Sequence, residues 1–227
     1  MRLVYAVVVL ALLLAAHALA AADESDPWPM TNGRTWTYLD AEGRKAVVKA
    51  RTASRKNLEI DGVKVNVPAF VVETQFEGKL IRRETYVKTA TATYKLRLMQ
   101  IVDGVSIEFT PPIKIAGEER AAGSKWSGQG VATVTSGNIG KPVKYDYDFE
   151  SRITLSGSIL FEGRTMHTYT AETKLSFDGS DSGGGGEDAF GGSETVQYIV
   201  GVGPKRIMQG EGFDRTILTL QERKSEE

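Results

Sequence analysis

Seven acidic-Gly dipeptides punctuate this chain: Glu42-Gly43, Asp61-Gly62, Glu77-Gly78, Asp103-Gly104, Glu162-Gly163, Asp178-Gly179 and Glu211-Gly212. Glycine reaches positive φ without a Cβ clash, and tight hairpin turns demand that conformation. Asp is the better partner in such turns, and Glu is tolerated more weakly. Each dipeptide lies between runs rich in Val, Thr, Tyr and Ile, so the spacing predicts successive antiparallel hairpins. The runs are 34–39, 46–52, 69–76, 80–87 and 91–101, then 129–135, 144–155, 165–177, 194–200 and 215–221.

The clearest alternation is Tyr145-Asp146-Tyr147-Asp148-Phe149-Glu150. Side chains alternate across a strand, which puts three aromatics on one face and three acids on the other. A sheet with one buried and one wet face follows. Helical signals are weak. Residues 116–122 read as one or two helical turns, and Pro111-Pro112 as the end of a strand, since proline cannot continue a ladder. The expected fold is all-β: an antiparallel curved sheet or open barrel of about ten to twelve strands.

Two Gly-x-x-Trp signals, Gly33 to Trp36 and Gly123 to Trp126, divide the chain into halves. Residues 31–112 and 123–223 are readable as pseudo-repeats. The segment 61–65 matches 162–166, residues 70–76 match 169–177, and Glu84-Thr85-Tyr86-Val87 is echoed from Glu194 to Ile199. Residues 179–193 hold seven glycines among Ser, Asp and Glu. They read as a flexible loop, because nothing there buries enough apolar surface to offset its ordering entropy.

Arg2, the apolar run from Leu3 to Ala16 and Ala18-Leu19-Ala20 form the pattern of a secretory signal peptide over residues 1–22. The apolar run is shorter than the ~20 residues of a spanning helix, so the expectation is cleavage, leaving no transmembrane span. Residues 23–227 then form a single β-rich domain, soluble in the periplasm or outside the cell. The formal charge of −1 is too balanced to suggest nucleic acid as a partner. The chain has no cysteine. A disulfide scaffold, a thiol nucleophile and a cysteine-containing zinc site are therefore excluded.

Candidate chemistry is sparse. His167 is the single histidine beyond the leader, and it reads as a partly buried strand residue hydrogen-bonded to a neighbour. The row Asp146, Asp148, Glu150 is held in line by its strand rather than folded round an ion, and reads as a solvated face. Gly201-Val202-Gly203-Pro204-Lys205 reads as a bend between two late strands. No catalytic residue, metal ligand or cofactor is expected, and the chain does not read as an enzyme. The aromatics Trp36, Tyr38, Trp126, Tyr145 and Tyr147 are the candidate ligand-binding residues; aromatics on strands serve equally as core.

Three features resemble a group of exported bacterial proteins, many of them lipoproteins, that carry a domain of unknown function. They are Asn32-Gly33-Arg34-Thr35-Trp36-Thr37-Tyr38 near the start, the middle Gly-x-x-Trp, and Tyr198-Ile199-Val200-Gly201-Val202-Gly203-Pro204-Lys205 near the end. Such proteins open with a Gly-x-x-Trp-x-Tyr strand and close with a Gly-Val-Gly turn followed by a lysine. This chain departs from the lipoproteins among them in lacking the lipid-attachment cysteine. The architecture also resembles, more distantly, the half-barrels that carry lipoproteins across the Gram-negative periplasm. The resemblance carries no activity over to particular residues; the function expected of the chain is that of an exported non-enzymatic envelope protein that binds a hydrophobic ligand, such as a lipid, or an envelope protein on its sheet. The alternatives are a structural or assembly protein without a ligand cavity and, third, a hydrolase of unknown type.

Overall fold

The computed structural model describes residues 26–60, 62–137, 139–178, 192–209 and 216–221. Residues 1–22, the expected leader, lie outside the described residues, as does the glycine-rich stretch 179–191. Gly192 and Ser193 open a strand.

Twelve strands follow one another: β1 (Thr35–Leu39), β2 (Lys45–Ile60), β3 (Val63–Phe76), β4 (Lys79–Lys88), β5 (Thr93–Gln100), β6 (Val105–Ala116), β7 (Lys125–Ser136), β8 (Ile139–Phe161), β9 (Arg164–Asp178), β10 (Gly192–Ile199), β11 (Gly203–Gln209) and β12 (Thr216–Leu220). Each pairs antiparallel with its sequence neighbours, and β1 pairs with β12, so the sheet closes into a barrel. The all-β antiparallel expectation holds, and closure leaves the sheet without a free edge. The seam is short: its register pairs are Tyr38 with Leu220 and Leu39 with Thr219.

The turn chemistry acts as expected where it is described. Glu77-Gly78 has φ of 48° and 80°, and Glu162-Gly163 has φ of 47° and 76°. Two successive positive φ values match the twist of the flanking strands, and a glycine in the second position removes the larger steric cost. These two turns close β3–β4 and the long β8–β9 hairpin.

Four expectations need correction. Residues 116–122 form no helix: Ala116 ends β6 and a turn at 121–123 leads into β7. Pro111-Pro112 does not end a strand but lies inside β6, with a cis Thr110-Pro111 bond. The ladder to β7 stops at Thr110, and the ladder to β5 is interrupted between Glu108 and Ile113, so neither proline is asked for a missing N–H. His167 is exposed rather than partly buried. Finally, β6 and β11 are full strands that the sequence runs had omitted.

Among the described residues, two apolar clusters lie inside the barrel. One gathers Trp36, Tyr38, Val72, Tyr86, Tyr169 and Tyr198 with their neighbours. The other joins Phe109, Val134, Tyr147, Phe149 and Phe177. A third lies on the outer face. Val87 follows the inward Tyr86 and therefore points the opposite way. Together with Tyr94 and Leu96 it packs under Ile60, Val65 and Val67 of the distal β2–β3 hairpin. That hairpin carries a register shift between Ala53 and Lys56 and folds over the outside far enough for β2 to contact β6.

One barrel end is plugged. Trp28, Pro29 and Met30 are buried there. The Lys88 ammonium bonds to Asp26 and to the Trp28 carbonyl (2.9 Å), and the Gly201 N–H donates to the Asp26 carbonyl (2.8 Å). Phe161, Ile159 and Met166 from the β8–β9 tip join the same cluster.

Candidate functional site

At the plugged end the two motifs that are farthest apart in sequence meet. Trp36 Nε1 donates to the Val202 carbonyl (2.7 Å), the Tyr38 hydroxyl to the Pro204 carbonyl (2.8 Å), and Arg34 to the Gly201 carbonyl (3.0 Å). The turn at 201–202 joins β10 to β11, as the bend reading expected. Gly203 has φ of 122°, and a Cβ there would sit 3.0 Å from Trp36 Nε1 and 3.1 Å from Trp28 Cδ1. Gly203→Ala is therefore expected to cost about 2 kcal/mol through backbone strain and overpacking. Urea denaturation measures it, and a loss within the ~0.5 kcal/mol typical of neutral substitutions would contradict the close fit.

Toward the opposite end the interior is hollow. A cavity of about 400 Å³ is walled by apolar side chains of β2, β3, β11 and β12, with Trp28 and Tyr86 at its inner end. Val102, on the β5–β6 turn, is largely exposed beside it. A second lobe of about 240 Å³ lies between β5–β6 and β9–β10, against Leu98, Phe109, Ile113 and Leu175. The two lobes share Arg82, Gln100, Glu194, Val196, Tyr198 and Gln209.

Arg82, Glu194 and Gln209 of this shared wall belong to a closed polar circuit, which Glu84 from the larger lobe and Lys95 from the smaller one complete. Arg82 reaches Glu84 (2.9 Å) and Gln209 (2.8 Å); Lys95 reaches Glu84 (3.1 Å) and Glu194 (3.6 Å); Gln209 donates back to Glu194 (2.9 Å). Strands β4 and β10 are six places apart in the twelve-strand ring, as are β5 and β11. The circuit thus spans the lumen as a strut, with one lobe on each side. Its two bases and two acids balance.

Burial alone would raise the Glu84 carboxyl, but Arg82, Lys95 and the Tyr86 hydroxyl overcome that penalty and hold it at about 2. Arg82 shows the reciprocal effect. Burial would lower its pKa, and Glu84 with Glu194 drives it upward. Tyr86 and Tyr198 are pushed well up, chiefly by burial, and stay neutral.

The five aromatics read as ligand candidates fall into two groups. Trp36 and Tyr38, 4% and 1% exposed, lock the closing turn. Tyr147 is buried in the second interior cluster, where it donates to the Pro111 carbonyl and burial pushes its hydroxyl up to about 12. Trp126, partly buried, donates to the Lys114 carbonyl (2.9 Å), and Tyr145 packs beside the same cluster. None of the five is among the residues lining the two lobes described above. The acids Asp146, Asp148 and Glu150 are all exposed, as a solvated row requires.

The strut residues were missed because charged positions in a strand suggest its wet face. A signal was present: Arg82 and Glu84 share parity with Tyr86, and Glu194 with Val196 and Tyr198. Charge on the aromatic face of a strand points inward.

No protein-family description matches the sequence, and no curated protein matches it. Solved structures do. A Parabacteroides distasonis protein described as a lipoprotein superposes with a TM-score of 0.52 at 12% identity, over 88% of this chain and 99% of the other. A Bacteroides fragilis protein described as exported and of YmcC-like fold gives 0.48 at 10% identity, over 87% and 98%. The first of these shares the fold.

Proposed function

We propose that this chain is an exported, non-enzymatic protein of the bacterial envelope that holds a hydrophobic ligand inside its barrel. The observation that carries the reading is the apolar cavity of about 400 Å³, a size within the ~300–1,000 Å³ of small-molecule sites. A structural module would be expected to fill such space, because a void forfeits dispersion contacts. The leader pattern of residues 1–22 supports export, and the description of the Parabacteroides protein as a lipoprotein supports an envelope setting.

Nile red, a neutral apolar fluorophore, tests the reading. Wild-type protein is expected to bind it saturably at one site. Ile207 lines the larger lobe and is only partly buried, so Ile207→Trp should fill that lobe without emptying any other contact. Affinity should fall at least ~10-fold while the melting temperature stays within a few degrees of wild type. Absence of saturable binding, or equal affinity in Ile207→Trp, would count against a cavity ligand.

A further inference from the structure

We infer that the ligand is an uncharged amphiphile with two apolar arms, one in each lobe, joined by a hydrogen-bonding centre that lies on the polar strut. This rests on the cavity reading above and goes beyond it in naming the chemistry.

Both lobes are lined by Arg82, Glu194 and Gln209 of the strut, with Glu84 facing only the larger and Lys95 only the smaller, so a single molecule that filled both would cross it. A hydrocarbon chain laid over that wall would cover charged groups without bonding to them, which is costly. A polar junction between two chains would not.

The strut also defines what the junction can be. Arg82 and Lys95 are matched by Glu84 and Glu194, so no surplus charge remains to balance an ionic head. Glu84 is enclosed, with 8% of its side chain exposed, whereas Glu194 is 32% exposed and Arg82 20%. Glu194 offers an acceptor, and Arg82 offers a donor. A guanidinium has five N–H groups, and the two terminal nitrogens of Arg82 also bond to Gln209 and Glu84, so the ligand would share the exposed part of the fork with the strut. A centre with a hydroxyl to donate and a carbonyl to accept satisfies both. Esters of a polyol carrying two acyl chains have this combination.

Displacement of Nile red from the wild-type chain compares three probes. They are 1,2-dioctanoylglycerol, 1-monooctanoylglycerol and dioctanoyl phosphatidic acid. The neutral two-chain ester is expected to compete at least ~10-fold more tightly than either of the others, because a second buried chain adds apolar area and the phosphate adds an unmatched charge. Leu98 lines the smaller lobe alone, so Leu98→Trp should remove the advantage of the second chain and leave the one-chain ester unchanged. Equal competition by the one- and two-chain esters, or tighter competition by the phosphate-bearing probe, would overturn this inference while leaving the cavity reading intact. Failure of every probe, Nile red included, would overturn both. The wild-type comparison stands even if Leu98→Trp fails to fold.

Discussion

Trp36→Ala is expected to destabilise the protein by about 3–5 kcal/mol, a large part of the ~5–15 kcal/mol that holds a domain folded. The indole is almost fully buried and meets Trp28 edge-on with centroids 6.2 Å apart. Arg34 lies over its ring at 5.6 Å, and its N–H bonds to Val202. These contacts tie the short strand β1 to the β10–β11 turn, next to a seam with few register pairs. Truncation removes packing at the point where the barrel closes, so the loss should lie toward the top of the range. Trp126→Ala should cost roughly half as much, since Trp126 is only partly buried and its N–H bonds to β6, the strand next to its own. Chemical denaturation of the two variants measures both. Equal losses would contradict the closure role of Trp36 and favour equivalent tryptophans in two repeated halves.

The second large effect is electrostatic. Glu84→Gln is expected to cost about 3 kcal/mol at neutral pH, because it leaves Arg82 and Lys95 buried with one carboxylate between them. The pH dependence follows from the same geometry. The folded Glu84 carboxyl stays ionised down to about 2, whereas its unperturbed value is 4.5. A depressed carboxyl contributes stability above its unfolded pKa and loses it as pH falls through the folded one. The contribution is therefore complete above about pH 5 and disappears between about 5 and 2, amounting to about 3 kcal/mol. Denaturation at a series of acidic pH values should show this fall in the wild type and a shallower one in Glu84→Gln. Parallel curves would mean that Glu84 is not the group that titrates.

Much of the fold was legible because hairpin chemistry is local. Glu77-Gly78 and Glu162-Gly163 need only their own backbone conformation, and the Tyr145 to Glu150 alternation needs only the strand period. The stretches that failed depend on distant partners. Pro111 and Pro112 suggest a strand end, yet β6 continues through them because an interruption in its two ladders removes the need for their N–H groups. The site was less legible still. Arg82, Glu84, Lys95, Glu194 and Gln209 come from four strands, and they meet only because β4 and β10 face each other across a closed ring. Sequence singled out Trp36 and Tyr38 as ligand candidates, and neither lines the two lobes. Their partners, Val202 and Pro204, are backbone carbonyls that leave no side-chain trace. The matched segments of the two halves do fall on corresponding strands, β3 with β9 and β4 with β10. Glu84 and Glu194, aligned in that comparison, are both held by Lys95.

The central claim is that the barrel interior holds an apolar molecule. Mass spectrometry under non-denaturing conditions, on the full chain purified from its own envelope, tests it most directly. The account predicts a complex heavier than the polypeptide by one small molecule, released into organic solvent as an uncharged lipid-like species. A bare polypeptide mass, with no such species in the extract, would contradict it.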